Sequence, residues 1–187
     1  GATMAARSAL QRCARLTTSA TAPRPAAPSA ANEWHLPHVL RLEQSLVDLT
    51  GRTLRADGAR VRTAEDARML AEDTSLVVVS HGAESPEPVF NYATAAALDL
   101  WEATWDPFVR TPSRFSAEAV ERAERQQLLD AVTAQGFIDR YAGVRISTKG
   151  KRFRITGAVV WNVKDEEGRH AGQACTFLKD EVEPLGP

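Results

Sequence analysis

Residues 137–179 read FIDRYAGVRISTKGKRFRITGAVVWNVKDEEGRHAGQACTFLK, and this stretch decides the fold. Its apolar residues alternate with polar ones, and two polar, glycine-containing turns interrupt it, at 148–151 and at 165–168. A period of two marks strands, and turns this short join neighbours running in opposite directions. The stretch therefore predicts three antiparallel strands, at 137–147, 152–163 and 172–179. Upstream, Gly136 is the natural stop of a helix that begins near Ser116, with Val120, Leu128, Leu129 and Val132 as its inward stripe. Glu118/Arg122 and Glu121/Arg125 stand at i,i+4 on that helix, an order that favours ion pairing.

Further towards the N-terminus, Leu76-Val77-Val78-Val79 is too short for a helix and rich in β-branching, so it predicts a buried strand. Val89–Ala93 predicts a second strand, followed by a short helix from Ala95 to Trp101. Leu36, Val39, Leu40, Leu42, Leu46, Val47 and Leu49 recur at three-to-four spacing and predict an amphipathic helix over 35–50, closed by Gly51. Thr63 with Asp66 resembles a capping box for a second short helix. The order is strand, strand, short helices, long helix, then three hairpin-linked strands. It predicts an α+β fold: one antiparallel sheet of about five strands, short helices and one long helix on one face, and an N-terminal helical extension.

This order is similar to the PAS fold, and the local strings narrow the likeness. Val78-Val79-Ser80-His81-Gly82, Pro88–Ala93, Ala97–Trp101, Pro112-Ser113-Arg114 with Ser116-Ala117-Glu118, Gly143–Ser147, Val160-Trp161-Asn162 and Gly172-Gln173-Ala174 occur in order across roughly residues 73–179. Together they resemble the MEKHLA domain, a PAS-like family found as standalone proteins in bacteria and algae. The same module closes class III homeodomain–leucine zipper transcription factors. No homeodomain, basic region or heptad zipper occurs here, so the resemblance is to the standalone form. It implies a PAS-like module at 73–180, behind a helical extension at 33–72 and ahead of a tail at 181–187.

Charge is unevenly spread. The chain of 187 residues has a formal net charge of −1, yet residues 1–32 hold four arginines (Arg7, Arg12, Arg15, Arg24) and no acid, which leaves the rest at −5. A basic, acid-free, Ala- and Ser-rich leader with a weakly amphipathic segment at Met4–Leu16 has the composition of an organelle transit peptide. A chloroplast is favoured over a mitochondrion, and a cytoplasmic protein is expected if the leader is no address. An acidic remainder argues against nucleic acid and anionic membrane as partners, and no apolar run approaches a membrane span.

Chemistry is sparse. No nucleophile-elbow, metalloprotease or phosphate-loop pattern occurs, and two cysteines build neither a disulfide framework nor a zinc site, so no catalytic or metal residues are expected. His35 and His38 straddle Pro37 without a third ligand. The PAS likeness implies a cavity between sheet and helices, with Phe90, Asn91, Tyr92, Trp101, Trp105, Arg145, Trp161, Asn162 and Gln173 as candidate liners and His81 and Arg114 as polar candidates. Arg145, between Val144 and Ile146, must find a countercharge, water or an anionic ligand. Trp161 counts onto the face of Phe153, Ile155 and Val159, and Asn162 onto the other. Cys175 lacks the Asn-Cys-Arg-Phe-Leu-Gln-type motif of flavin-binding, light-sensing PAS proteins, so flavin is disfavoured, and haem with it; the cofactor is otherwise unknown. The leading expectation is a non-enzymatic module that binds a small molecule, or a second copy or protein partner through the sheet face or the N-terminal helix. The alternatives are a small enzyme or stress-response factor using the same cavity, and a purely structural dimerisation module.

Overall fold

The computed structural model describes residues 23–117 and 121–186. The leader segment Met4–Leu16, Glu118 and Val120 lie outside them. Helix α1 spans Leu36–Thr50 and ends on Gly51. Helix α2 spans Ala64–Ala71, capped by the expected box: Thr63 Oγ1 accepts from the Asp66 amide while the Asp66 carboxylate accepts from the Thr63 amide. Strands β1 (Leu76–His81) and β2 (Phe90–Ala93) follow, then the short helices α3 (Ala95–Leu100) and α4 (Trp105–Phe108). Helix α5 (Arg122–Gln135) leads into β3 (Phe137–Ile146), β4 (Arg152–Lys164) and β5 (His170–Leu178).

The strands form one antiparallel sheet in the order β2-β1-β5-β4-β3. A sixth strand, β6 (Glu183–Pro184), comes from the expected tail and pairs with Phe153 and Arg154 of β4. The PAS-like α+β prediction holds. Three particulars differ. The long helix starts at Arg122, not near Ser116, because Ser113–Ser116 form a 3-10 turn in which the Ser116 hydroxyl donates to the Ser113 carbonyl at 2.8 Å. Ala117 then runs extended, so Ser116 cannot cap the helix.

The helices also occupy both faces rather than one. Helix α1 lies across the side opposite α5: the Trp161 indole N–H donates to the Leu42 carbonyl at 3.1 Å, and the Lys164 amide donates to Ser45 Oγ at 3.0 Å. The apolar stripe of α1 is spent on this contact, with Val39, Leu42 and Leu46 buried. The sheet face expected as a docking surface is therefore covered by the protein's own extension.

The third difference is the side on which Trp161 lies. Two bulges interrupt the β3–β4 ladder, one on each strand. Pairing runs Ile138↔Val160, then Tyr141↔Ala158, then Gly143↔Ile155. β3 gains a residue where Arg140 takes a φ of 57°, and β4 gains one where Gly157 takes a φ of 73°. A bulge reverses which way the following side chains point. Counting by twos from Phe153 through Gly157 thus puts Trp161 on the wrong side. Trp161 faces α1, while Asn162 shares the α5 side with Ile155 and donates to the Val132 carbonyl at 2.9 Å.

The chain ahead of α1 is packed rather than loose. Glu33, Trp34 and His35 take left-handed backbone, turning the chain back over the β2 edge. There the Pro25 carbonyl accepts from the Trp105 indole at 2.8 Å, and the Ala26 carbonyl lies 2.7 Å from His35 Nε2. The domain's packing therefore reaches residues assigned to the leader from composition.

Candidate functional site

A cavity of about 50 Å³ lies between α5 and the sheet. Its floor is Val79 and His81 of β1, Ile155 and Val160 of β4, and Gln173, Cys175 and Phe177 of β5; Phe90 and Trp101 close one end. Its roof is Arg125, Leu128, Leu129 and Val132, which fall at i, i+3, i+4 and i+7 on one face of α5. Arg125 stands where an apolar residue would continue that stripe. The i,i+4 reading with Glu121 missed this; the position within the stripe was the available signal. Tyr141 and Cys175 were missed as liners too.

The polar groups at the cavity have unusual partners. Arg125 is 8% exposed and Arg145 7% exposed. Arg145 donates to the Val144 carbonyl at 2.6 Å and to the Tyr141 hydroxyl, and its guanidinium lies 5.2 Å from the centroid of the Tyr141 ring. Burial, followed by repulsion from Arg145, pushes the Arg125 guanidinium down to about 10, so it stays protonated at neutral pH. No carboxylate lines the cavity among the described residues.

His81 Nδ1 lies 2.8 Å from the Gly82 carbonyl and donates to it, leaving Nε2 as a buried acceptor without a partner. Desolvation holds this imidazole down to about 4, opposed by the Gly82 bond and reinforced by Arg125, so the ring is neutral. Gly172 sets the close pass of β5 on β1: it has a φ of 136°, and a Cβ there would sit 2.0 Å from the His81 carbonyl. The Trp101 indole N–H is likewise buried without a partner. The Cys175 thiol is pushed up to about 12 by burial, against the pull of Arg145 and Arg125, so it is neither charged nor nucleophilic at neutral pH.

Of the expected liners, Phe90, Trp101, Arg145, Gln173 and His81 do line this cavity. Gln173 Nε2 also donates to the Leu129 carbonyl at 3.0 Å and to Thr133 Oγ1 at 3.1 Å. Together with Asn162 it ties the C-terminal half of α5 to the sheet.

The others lie elsewhere. Asn91 occupies a bulge between β1 and β2, so it and Tyr92 both turn to the α1 side. Ser80 Oγ donates to Asn91 Oδ1 at 2.6 Å and accepts from His38 Nε2 at 2.9 Å. That chain gives the serine proton to the amide rather than to the imidazole, the reverse of what a nucleophilic serine needs. Tyr92 and Trp105 pack with His35 against the N-terminal segment. Trp161 is beneath α1. Arg114 is half exposed, ion-paired with Glu87 and stacked on Phe115 at the surface.

A flavin does not fit. Sites for ligands of that size run to roughly 300–1,000 Å³, far above the volume of this cavity, and haem does not fit within it either. Among the described residues no three His, Cys, Asp or Glu side chains converge for a metal, and no helix is long and apolar enough to cross a membrane.

The MEKHLA domain model matches residues 36–181. No curated protein matches. Among solved structures, the PAS domain of a protein from Colwellia psychrerythraea is similar, with a TM-score of 0.51 and 10% identity over 65% of this chain and 94% of that one. An RNA-binding light-oxygen-voltage receptor is similar with a TM-score of 0.51 and 13% identity, over 61% of this chain and 34% of that one. At such identities these neighbours speak to fold alone.

Proposed function

Taking as premise that this chain belongs to the MEKHLA domain family, we propose that it is a PAS-like sensory module whose cavity beneath α5 takes a small molecule. The observation that carries this reading is the pair of buried, unpartnered polar atoms at that cavity, His81 Nε2 and Trp101 Nε1. Leaving such groups unpaired costs roughly 1–3 kcal/mol each, a cost a ligand would relieve. Helix α5 is the element suited to report occupancy. Its sheet bonds gather at Leu129, Val132 and Thr133, while its N-terminal half meets the cavity through Arg125 and Leu128.

Filling the cavity tests this. A small-fragment library screened by thermal shift on the full chain should return binders that Val160→Phe no longer stabilises. Hits that all survive the substitution, or no hits at all, would overturn the reading.

Binding rather than turnover is the reading these groups support: among the described residues no carboxylate lines the cavity to act with His81 as an acid–base pair, and the Ser80–His38 contact is oriented for structure. The alternative partner role is weaker, because α1 covers one face of the sheet and, among the described residues, the exposed large apolar side chains Leu40, Met69 and Phe115 belong to separate elements.

The acid-free arginine leader supports delivery to an organelle, with a plastid favoured. Processing is then expected ahead of Arg24, since Pro25 and Ala26 hold Trp105 and His35. N-terminal sequencing of protein purified from its native cells checks this; a mature start at Glu33 or later counts against it.

A further inference from the structure

Among the described residues, two guanidiniums, one neutral imidazole, one neutral thiol and one phenol border the same cavity. Arg125 and Arg145 bring two positive charges to a cavity that no described acid lines, although Glu121 and Glu124 border an adjoining cleft that both arginines also line, and the two guanidiniums lie close enough to repel each other. Two cations held this close in a buried place are electrostatically unfavourable, and an anion between them would relieve both. Close by, His81 Nε2 presents a bare lone pair that calls for a donor. An ammonium would supply a donor but is repelled by the arginines; a hydroxyl supplies one without charge. The remaining walls are apolar: Val79, Ile155, Val160 and Phe177.

Size narrows the class further. A water-sized group needs roughly 10–15 Å³ of such volume, so about 50 Å³ holds an acid of only a few non-hydrogen atoms.

We propose that this cavity is an anion site for a small 2-hydroxy monocarboxylate, with the carboxylate between Arg125 and Arg145 and the hydroxyl donating to His81 Nε2. Recognition by two arginines favours a planar carboxylate, which can accept paired N–H donors. The inference rests on the cavity-binding reading above and adds the chemistry of the occupant.

The test uses the full chain, with glycolate as probe, acetate as the analogue lacking the hydroxyl, and glycolamide as the neutral analogue, all measured by calorimetry and thermal shift. Glycolate is expected to bind and stabilise, acetate to bind more weakly, and glycolamide not to bind. Arg125→Met should weaken glycolate by about ten- to a hundredfold. It should also melt no lower than the unaltered protein without ligand, because it removes one of two buried charges that repel each other. That second readout separates loss of a site from loss of fold, and Arg125→Lys should restore part of the binding. Absence of glycolate binding, equal binding of glycolamide, or an unchanged affinity in Arg125→Met overturns the anion site. If the fragment hits of the cavity screen still vanish in Val160→Phe, the cavity reading stands without it; if they do not, both fall.

Discussion

Trp161→Ala should cost about 3–5 kcal/mol, the largest loss expected from any single truncation here. Trp161 is fully buried on β4, an interior strand of the sheet, and packs beneath α1. Truncation opens a void between sheet and extension and leaves the Leu42 carbonyl without its donor. For a chain of this size each kcal/mol moves the melting temperature by about 2–4 °C, so a drop on the order of 10 °C or more is expected by calorimetry. Trp161→Phe keeps most of the packing and should lose only about 1 kcal/mol. Equal melting of the alanine variant and the unaltered protein would show that α1 does not rest on this side of the sheet.

Acidification should have an effect of the same order. His38 and His81 are buried and neutral, each pushed from 6.5 down to about 4, mainly by desolvation. His35 and Arg41 add to the shift at His38; Arg125 and His170 add to it at His81, while Gly82 and Glu84 oppose it. A group whose folded value lies below its unfolded one binds fewer protons when folded. Its contribution to stability is therefore complete above pH 6.5 and is lost as the pH falls towards 4. By pH 5 the loss is roughly 2 kcal/mol per histidine. A melting temperature lower by on the order of 10 °C at pH 5 than at pH 7 is expected. Asp66, Asp99, Asp139 and Asp165, held below 3.8 by their hydrogen bonds and arginine or lysine partners, titrate beneath this window. His38→Gln, which can still donate to Ser80, should lessen the slope without abolishing it, since His35 and His81 are also held down by burial. A flat profile between pH 7 and 5 would sink the assignment of both rings as buried and neutral.

The architecture could be read from local patterns because each rests on short-range physics. The Thr63/Asp66 box, the Gly51 stop and the two hairpin turns are decided by residues within four positions of one another. The antiparallel pairing of β3, β4 and β5 followed from turns too short to allow any other, whereas the pairing of β1 with β5, distant in the chain, had no local signal. The faces of the sheet were harder. Trp161 was given its face by counting alternation, and the one-residue bulge at Gly157 lay within the count; Tyr92 was named from the fold likeness alone, and the bulge at Asn91 turns it to the α1 side. Asn91 and Arg140 have no composition that announces a bulge, and Gly157 does so only in hindsight. Arg125 was hidden for a different reason. A charge facing inward on a helix looks like one member of a surface pair until the opposite wall is known, and that wall comes from β3 and β5.

The paired bulges at Arg140 and Gly157 also constrain how this sheet can change over evolutionary time. Each adds a single residue, and together they leave the ends of the hairpin in step. A descendant that lost only one would slip one strand against the other, so that Phe153 and Ile155 would leave the α5 side of the sheet for the α1 side. The two insertions are thus heritable only as a couple, and an alignment of distant relatives that gaps one strand should gap its neighbour too.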